Sequence, residues 1–105
     1  TEGIIAAARA IDRSNLAVTT EDLGPNVAIA LASREYVTGL GAPRPFDQGV
    51  TEAKLAAYSL IDKQAPPYVA LDALPVTHDN VLDAWREVYR SDPPKQVVES
   101  FNGGQ

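Results

Sequence analysis

Two apolar patterns alternate along the chain: segments with helical spacing, and short runs rich in β-branched residues. Apolar residues three and four positions apart predict helices, whereas short β-branched runs predict buried strands. The predicted helices cover residues 2–12, 25–34, 46–63 and 78–90, and the predicted strands cover residues 16–20, 36–40 and 68–71. This α-β-α-β-α-β-α order favours a single α/β unit, residues 1–105, with a mostly parallel sheet and helical crossovers.

Prolines mark the boundaries between these segments. Pro43 and Pro45 flank Arg44 and force an extended backbone before the long helix, which the prolines at 66–67 then stop. Residues 72–76 are expected to be an extended connector. The pair Pro93-Pro94 ends the last predicted helix, and the tail 92–105 is expected to be mobile.

Composition excludes several classes of function. The net charge is −5, which argues against a nucleic-acid surface, and the absence of Cys excludes disulfides, thiol nucleophiles and Cys-type zinc sites. The longest purely apolar run, Val27–Ala32, has six residues, far fewer than the roughly 20 that span a bilayer. His78 is the only histidine and is expected to be solvated at a helix start. No catalytic set is visible, so we expect no enzyme, no metal and no cofactor.

Four polar residues are candidates for ligand contacts. Glu21 and Asp22 follow the first strand at its carboxyl end, where α/β sheets place their ligands, and they could instead cap the next helix. Arg44 is held by its flanking prolines, and Gln48 lies one turn into the long helix. Both could instead be solvated surface residues. Trp85 and Tyr89 lie one turn apart among aliphatic residues and are interpreted as core.

The order of several short motifs resembles the type I periplasmic binding proteins for sugars. A helix of small residues precedes a strand that ends in acidic residues, a second strand leads into a Pro-x-x-x-Gly helix start, and a Val-Thr-x-x-Asn-Val pattern follows near the end. These motifs lie at residues 3–11, 16–22, 37–42, 45–49, 66–69 and 74–81. The resemblance covers roughly residues 3–90.

This resemblance implies a fold and a function. The chain would be the C-terminal portion of a two-lobe protein, a small three-layer sandwich of the periplasmic-binding-protein-like I class. It would be periplasmic, would bind a sugar or related polyol, and would deliver it to the permease of an ABC transporter. Asp22 is preferred over Glu21 as a ligand residue, with Arg44 and Gln48 nearby. The absence of an initiator Met also favours a piece of a larger protein. The alternatives are the sensing domain of a sugar-responsive transcription regulator, and a small self-associating α/β protein without a ligand.

The resemblance also has a consequence for the long helix, which packs on the other lobe in that family. Its apolar stripe consists of Val50, Ala53, Ala57, Leu60 and Ile61. A stripe of this length exceeds what soluble monomers usually expose, so it must fold back on its own sheet or pair with a second copy. We expect a two-fold dimer, formed by swapping or edge-strand pairing, that buries more than about 1,000 Å². The isolated chain should bind sugars no more tightly than about 1 mM.

Overall fold

The computed structural model describes residues 1–104 and contains five α-helices and three strands within them. The helices are α1 Glu2–Ala10, α2 Pro25–Ala32, α3 Pro45–Leu60, α4 Val81–Tyr89 and α5 Lys95–Gly103. The strands are β1 Val18–Glu21, β2 Val37–Ala42 and β3 Leu74–Val76, and a 3₁₀ turn, His78–Asn80, precedes α4. The α/β character predicted from the sequence is confirmed.

The sheet is mixed rather than mostly parallel. Strand order is β1-β2-β3, with β1 parallel to β2 and β3 antiparallel to β2, so that Leu40 faces Val76 across the second pair. The third strand predicted at 68–71 is wrong, because these residues lie in an exposed extended segment in which Tyr68 is 80% exposed. β-branched and aromatic residues form a strand only beside a partner edge, and the returning chain reaches the edge of β2 only at Leu74.

Three helices end earlier than predicted, for one shared reason. Asp12, Arg34 and Asp62 adopt positive φ angles of 53°, 59° and 52°, each two residues beyond the end of α1, α2 or α3. A left-handed residue reverses the chain and terminates a helix, and glycine is its usual sequence signal. Because these three residues are Asp or Arg, the sequence pattern extends each helix two or three residues too far.

The prediction of a mobile tail over residues 92–105 is wrong for its main part. Residues Lys95–Gly103 form α5, which packs against α2 and buries Val97 completely. The ring of Phe101 stacks on His78 with centroids 4.8 Å apart, so this histidine is half-buried rather than solvated. Gln105 lies outside the described residues.

The hydrophobic core lies around α2, the sheet and the inner faces of α4 and α5. Leu31, Val76 and Val88 are among its fully buried side chains. Trp85 is 7% exposed, and the Tyr89 hydroxyl donates a hydrogen bond of 2.7 Å to the Leu23 carbonyl oxygen. The interpretation of this aromatic pair as core is therefore confirmed.

Helix α3 projects away from this core. It contains no buried residue, and within its apolar stripe Val50 is 41% exposed and Leu60 is 85% exposed. The chain measures 58 × 25 × 17 Å, and its radius of gyration is 17.2 Å, against about 13 Å for a compact domain of this length. The stripe thus does not fold back on its own sheet.

Candidate functional site

A cleft of about 400 Å³ opens where the chain leaves the sheet for α3 and where it returns. Its polar wall carries Glu21, Arg44, Gln48, Thr51 and Glu52, and its apolar wall carries Leu55, Val69 and Leu71. The cleft therefore combines charged and amide groups with an aliphatic surface.

Backbone geometry brings these groups together. Strands β1 and β2 are parallel, so their carboxyl ends open to the same edge, where Glu21 faces Gly41. Pro45 begins α3 at its first position, which requires no backbone N–H. Gln48, Thr51 and Leu55 then recur at helical spacing and form one face of α3 that points toward residues 69–73.

Arg44 lines the cleft, and two of its nitrogen atoms are already bonded to protein groups. Its Nε donates to the Asp72 carbonyl oxygen at 2.9 Å, and its Nη1 donates to Glu87 Oε1 at 2.7 Å. Asp47 Oδ2 lies 3.9 Å from the same Nη1, and its Oδ1 accepts a hydrogen bond of 3.0 Å from Arg90. The Arg44 guanidinium therefore connects the N-terminus of α3 to the returning chain at Asp72 and to Glu87 on α4.

Of the other predicted site residues, two line the cleft and Asp22 lies outside it as an exposed residue. Glu21 and Gln48 line the cleft, and Gln48 donates a hydrogen bond of 3.2 Å to Glu52. Asp22, the residue preferred over Glu21, is not among the lining residues and has a positive φ of 71°. It lies instead near Tyr89. Burial, reinforced by the Asp22 carboxylate, raises the pKa of the Tyr89 phenol above its ordinary value.

Three lining residues of α3 are not among the sequence candidates: Thr51, Glu52 and Leu55. Their positions follow from Gln48, because residues three, four and seven positions later share its helix face. This spacing was the available signal, but it becomes informative only once α3 is known to face residues 69–73.

The charges of the cleft favour uncharged hydroxyl-bearing ligands over anions. Two carboxylates, Glu21 and Glu52, face the cleft, and the positive charge of Arg44 is paired with Glu87. Carboxylates accept hydrogen bonds from hydroxyl groups, while the Gln48 amide both donates and accepts. Within residues 1–104, no group of three or more acidic or His side chains is arranged to hold a metal ion.

Comparisons with protein-family models, with curated proteins and with solved structures found no match. Among the described residues, no helix combines the length and the apolar character needed to cross a membrane.

Proposed function

We propose that the cleft is one wall of a binding site for a sugar or related polyol, in a solute-binding protein of ABC-type import. The observation that carries this proposal is the convergence of Glu21, Arg44 and Gln48. These residues come from two elements and a linker and line one cleft beside an aliphatic surface.

The chemistry of the cleft suits a carbohydrate. Sugar hydroxyls are bound by carboxylates and amides, which Glu21, Glu52 and Gln48 supply. The C–H faces of a sugar ring need an apolar surface, which Leu55 supplies on the α3 wall and Val69 supplies on the opposite wall. Arg44 links the two walls of the cleft through its hydrogen bond to the Asp72 carbonyl oxygen.

The rest of the proposal follows from the family resemblance. The protein would be periplasmic, would release its ligand to the transporter permease, and would have no catalytic role. A sugar-responsive transcription regulator would use the same kind of cleft and is the alternative for the whole protein.

Chemical-shift mapping by NMR tests the proposal. We expect pentoses, hexoses and polyols, added to ¹⁵N-labelled chain, to shift the amides of Glu21, Gln48 and Thr51 with dissociation constants no tighter than about 1 mM. The variant Glu21→Gln should weaken binding, because a neutral amide accepts a weaker hydrogen bond than a carboxylate.

The matched control is Glu99→Gln, which makes the same change at an exposed position on α5. It should leave the affinity unchanged. The proposal would be wrong if no ligand of the panel shifted the cleft amides, or if shifts appeared only elsewhere. A micromolar constant would show that the isolated chain holds a complete site rather than one wall.

A further inference from the structure

Four charged side chains of alternating sign connect the N-terminus of α3 to α4. Arg44 is the N-cap of α3, and Asp47 lies in its first turn. Glu87 lies in α4, and Arg90 is the C-cap of that helix. Arg44 Nη1 donates to Glu87 Oε1 at 2.7 Å, while Asp47 Oδ1 accepts a bond of 3.0 Å from Arg90 Nη2. Two separate ion pairs therefore join the helices.

Arg90 contacts the first turn of α3 in a second way and lies outside the cleft. Its guanidinium carbon is 6.0 Å from the centroid of the Phe46 ring. At about this distance a cation is attracted to the face of an aromatic ring. Arg90 is not among the residues that line the cleft. It therefore acts on Phe46 and Asp47 without contact to the proposed ligand site.

These contacts matter because α3 is not anchored in the core. The helix contains no buried residue, and α4 is the described element that it contacts most extensively. The side chains of Arg44 and Asp47 are only 21% and 28% exposed. Ion pairs at such positions are less weakened by water than pairs between fully exposed side chains. The position of α3 thus depends on a few polar contacts at its first turn.

The cleft residues of α3 lie far from this attachment. Leu55 follows Pro45 by ten residues, which is about 15 Å along the helix axis. A tilt of about 10° at the first turn would displace Leu55 by about 2.6 Å, close to the length of a hydrogen bond. A small change at the first turn is therefore enough to alter the width of the cleft.

From this arrangement we propose that Arg90 is a positioning residue for the cleft. By holding Phe46 and Asp47, it sets the angle at which α3 leaves the sheet. That angle places Gln48 and Leu55 relative to the rest of the site. The effect on ligand affinity rests on the proposed sugar site, whereas the effect on the position of α3 does not.

Distances between two spin labels, measured by double electron–electron resonance, test the position of α3. The chain has no native Cys, so Ser59→Cys on α3 and Glu99→Cys on α5 supply the two labelling sites, both exposed. We expect Arg90→Gln to broaden the distance distribution by about 4 Å, the displacement of residue 59 for a tilt of about 10°. Arg90→Lys keeps the charge and should preserve most of the original distribution.

The matched control is Arg86→Gln, which removes the same charge from α4. Arg86 is exposed to the same degree as Arg90, but its partners Asp83 and Asp92 are about 90% exposed and lie outside α3. The control should leave the distribution unchanged. The proposal would be overturned if Arg90→Gln had no effect on the distribution, or if Arg86→Gln broadened it equally.

The variant Asp47→Asn tests the same ion pair from the side of α3. It should broaden the distribution as Arg90→Gln does, and the double variant should add little further broadening, because both changes remove one interaction. Circular dichroism confirms that each variant is folded. If Arg90→Gln does not fold, Asp47→Asn supplies the test, and an unchanged distribution in that variant would overturn the proposal.

Titration with glucose, ribose and sorbitol, followed by NMR, tests the consequence for the cleft. Arg90→Gln should weaken the binding of a probe at least about threefold, because α3 then occupies the binding position for a smaller fraction of the time. Arg86→Gln should bind like the wild type. Unchanged affinity beside broadened distances would overturn the role of Arg90 in the site. If no probe binds the wild-type chain, the proposed function is wrong, and the label distances alone decide whether Arg90 positions α3.

Discussion

Replacing Val97 with Ala tests whether α5 is an integral part of the fold. The change removes two fully buried methyl groups, worth about 1.6 kcal/mol of transfer free energy. The cavity left between α5 and α2 adds about 1 kcal/mol. The higher helix propensity of Ala returns about 0.5 kcal/mol. We therefore expect the free energy of unfolding to fall by about 2 kcal/mol.

Urea unfolding followed by the fluorescence of Trp85, the only tryptophan, measures this loss. The matched control is Val98→Ala on the same helix, where the side chain is only half-buried. The control shares the gain in helix propensity and should cost less than about 0.5 kcal/mol. Equal and small effects of both substitutions would show that α5 does not pack on α2 in solution and would refute this account of the tail.

Three further predictions concern named polar contacts. Tyr89→Phe should destabilise the chain by about 1 kcal/mol in the same urea assay, because the Leu23 carbonyl oxygen loses its donor. The Arg9 guanidinium bonds to Glu35 and lowers the pKa of that carboxyl, so ionised Glu35 contributes stability above its ordinary pKa and loses it in acid. The difference in urea midpoint between wild type and Glu35→Gln should therefore be present at neutral pH and vanish in acid. Arg44→Gln should cost about 1–2 kcal/mol and increase amide exchange in the returning chain.

The elements that were predicted well from the sequence are those whose apolar positions are also the positions buried in the core. Helix α2 is apolar almost all round and lies in the core, and α4 presents Val81, Trp85 and Val88 to it at helical spacing. In both helices, the local apolar pattern and the tertiary packing agree, so the pattern alone was sufficient to predict the helix.

The errors arose where a distant partner decides the structure. Residues 68–71 have strand-forming side chains but no strand beside them, whereas Leu74–Val76, which contain a proline, pair with β2 at the sheet edge. The final helix was missed because Pro94 and Gly103 suggest a loop, and only the groove beside α2 makes α5 stable. The antiparallel direction of β3 was also missed, because it depends on where the chain returns to the sheet after α3.

The candidate site was predictable only in part, because its position depends on the path that the chain takes through α3 and back to the sheet. Glu21 and Gln48 were identified from strand and helix ends, yet their meeting depends on the direction in which α3 leaves the sheet, where Arg44 bonds to the Asp72 carbonyl oxygen. This bond network ties the start of α3, a helix with no buried residue, to the returning chain and to α4. The position of α3 therefore determines the width of the cleft on one face of the helix. It also determines how the apolar residues on the other face are exposed.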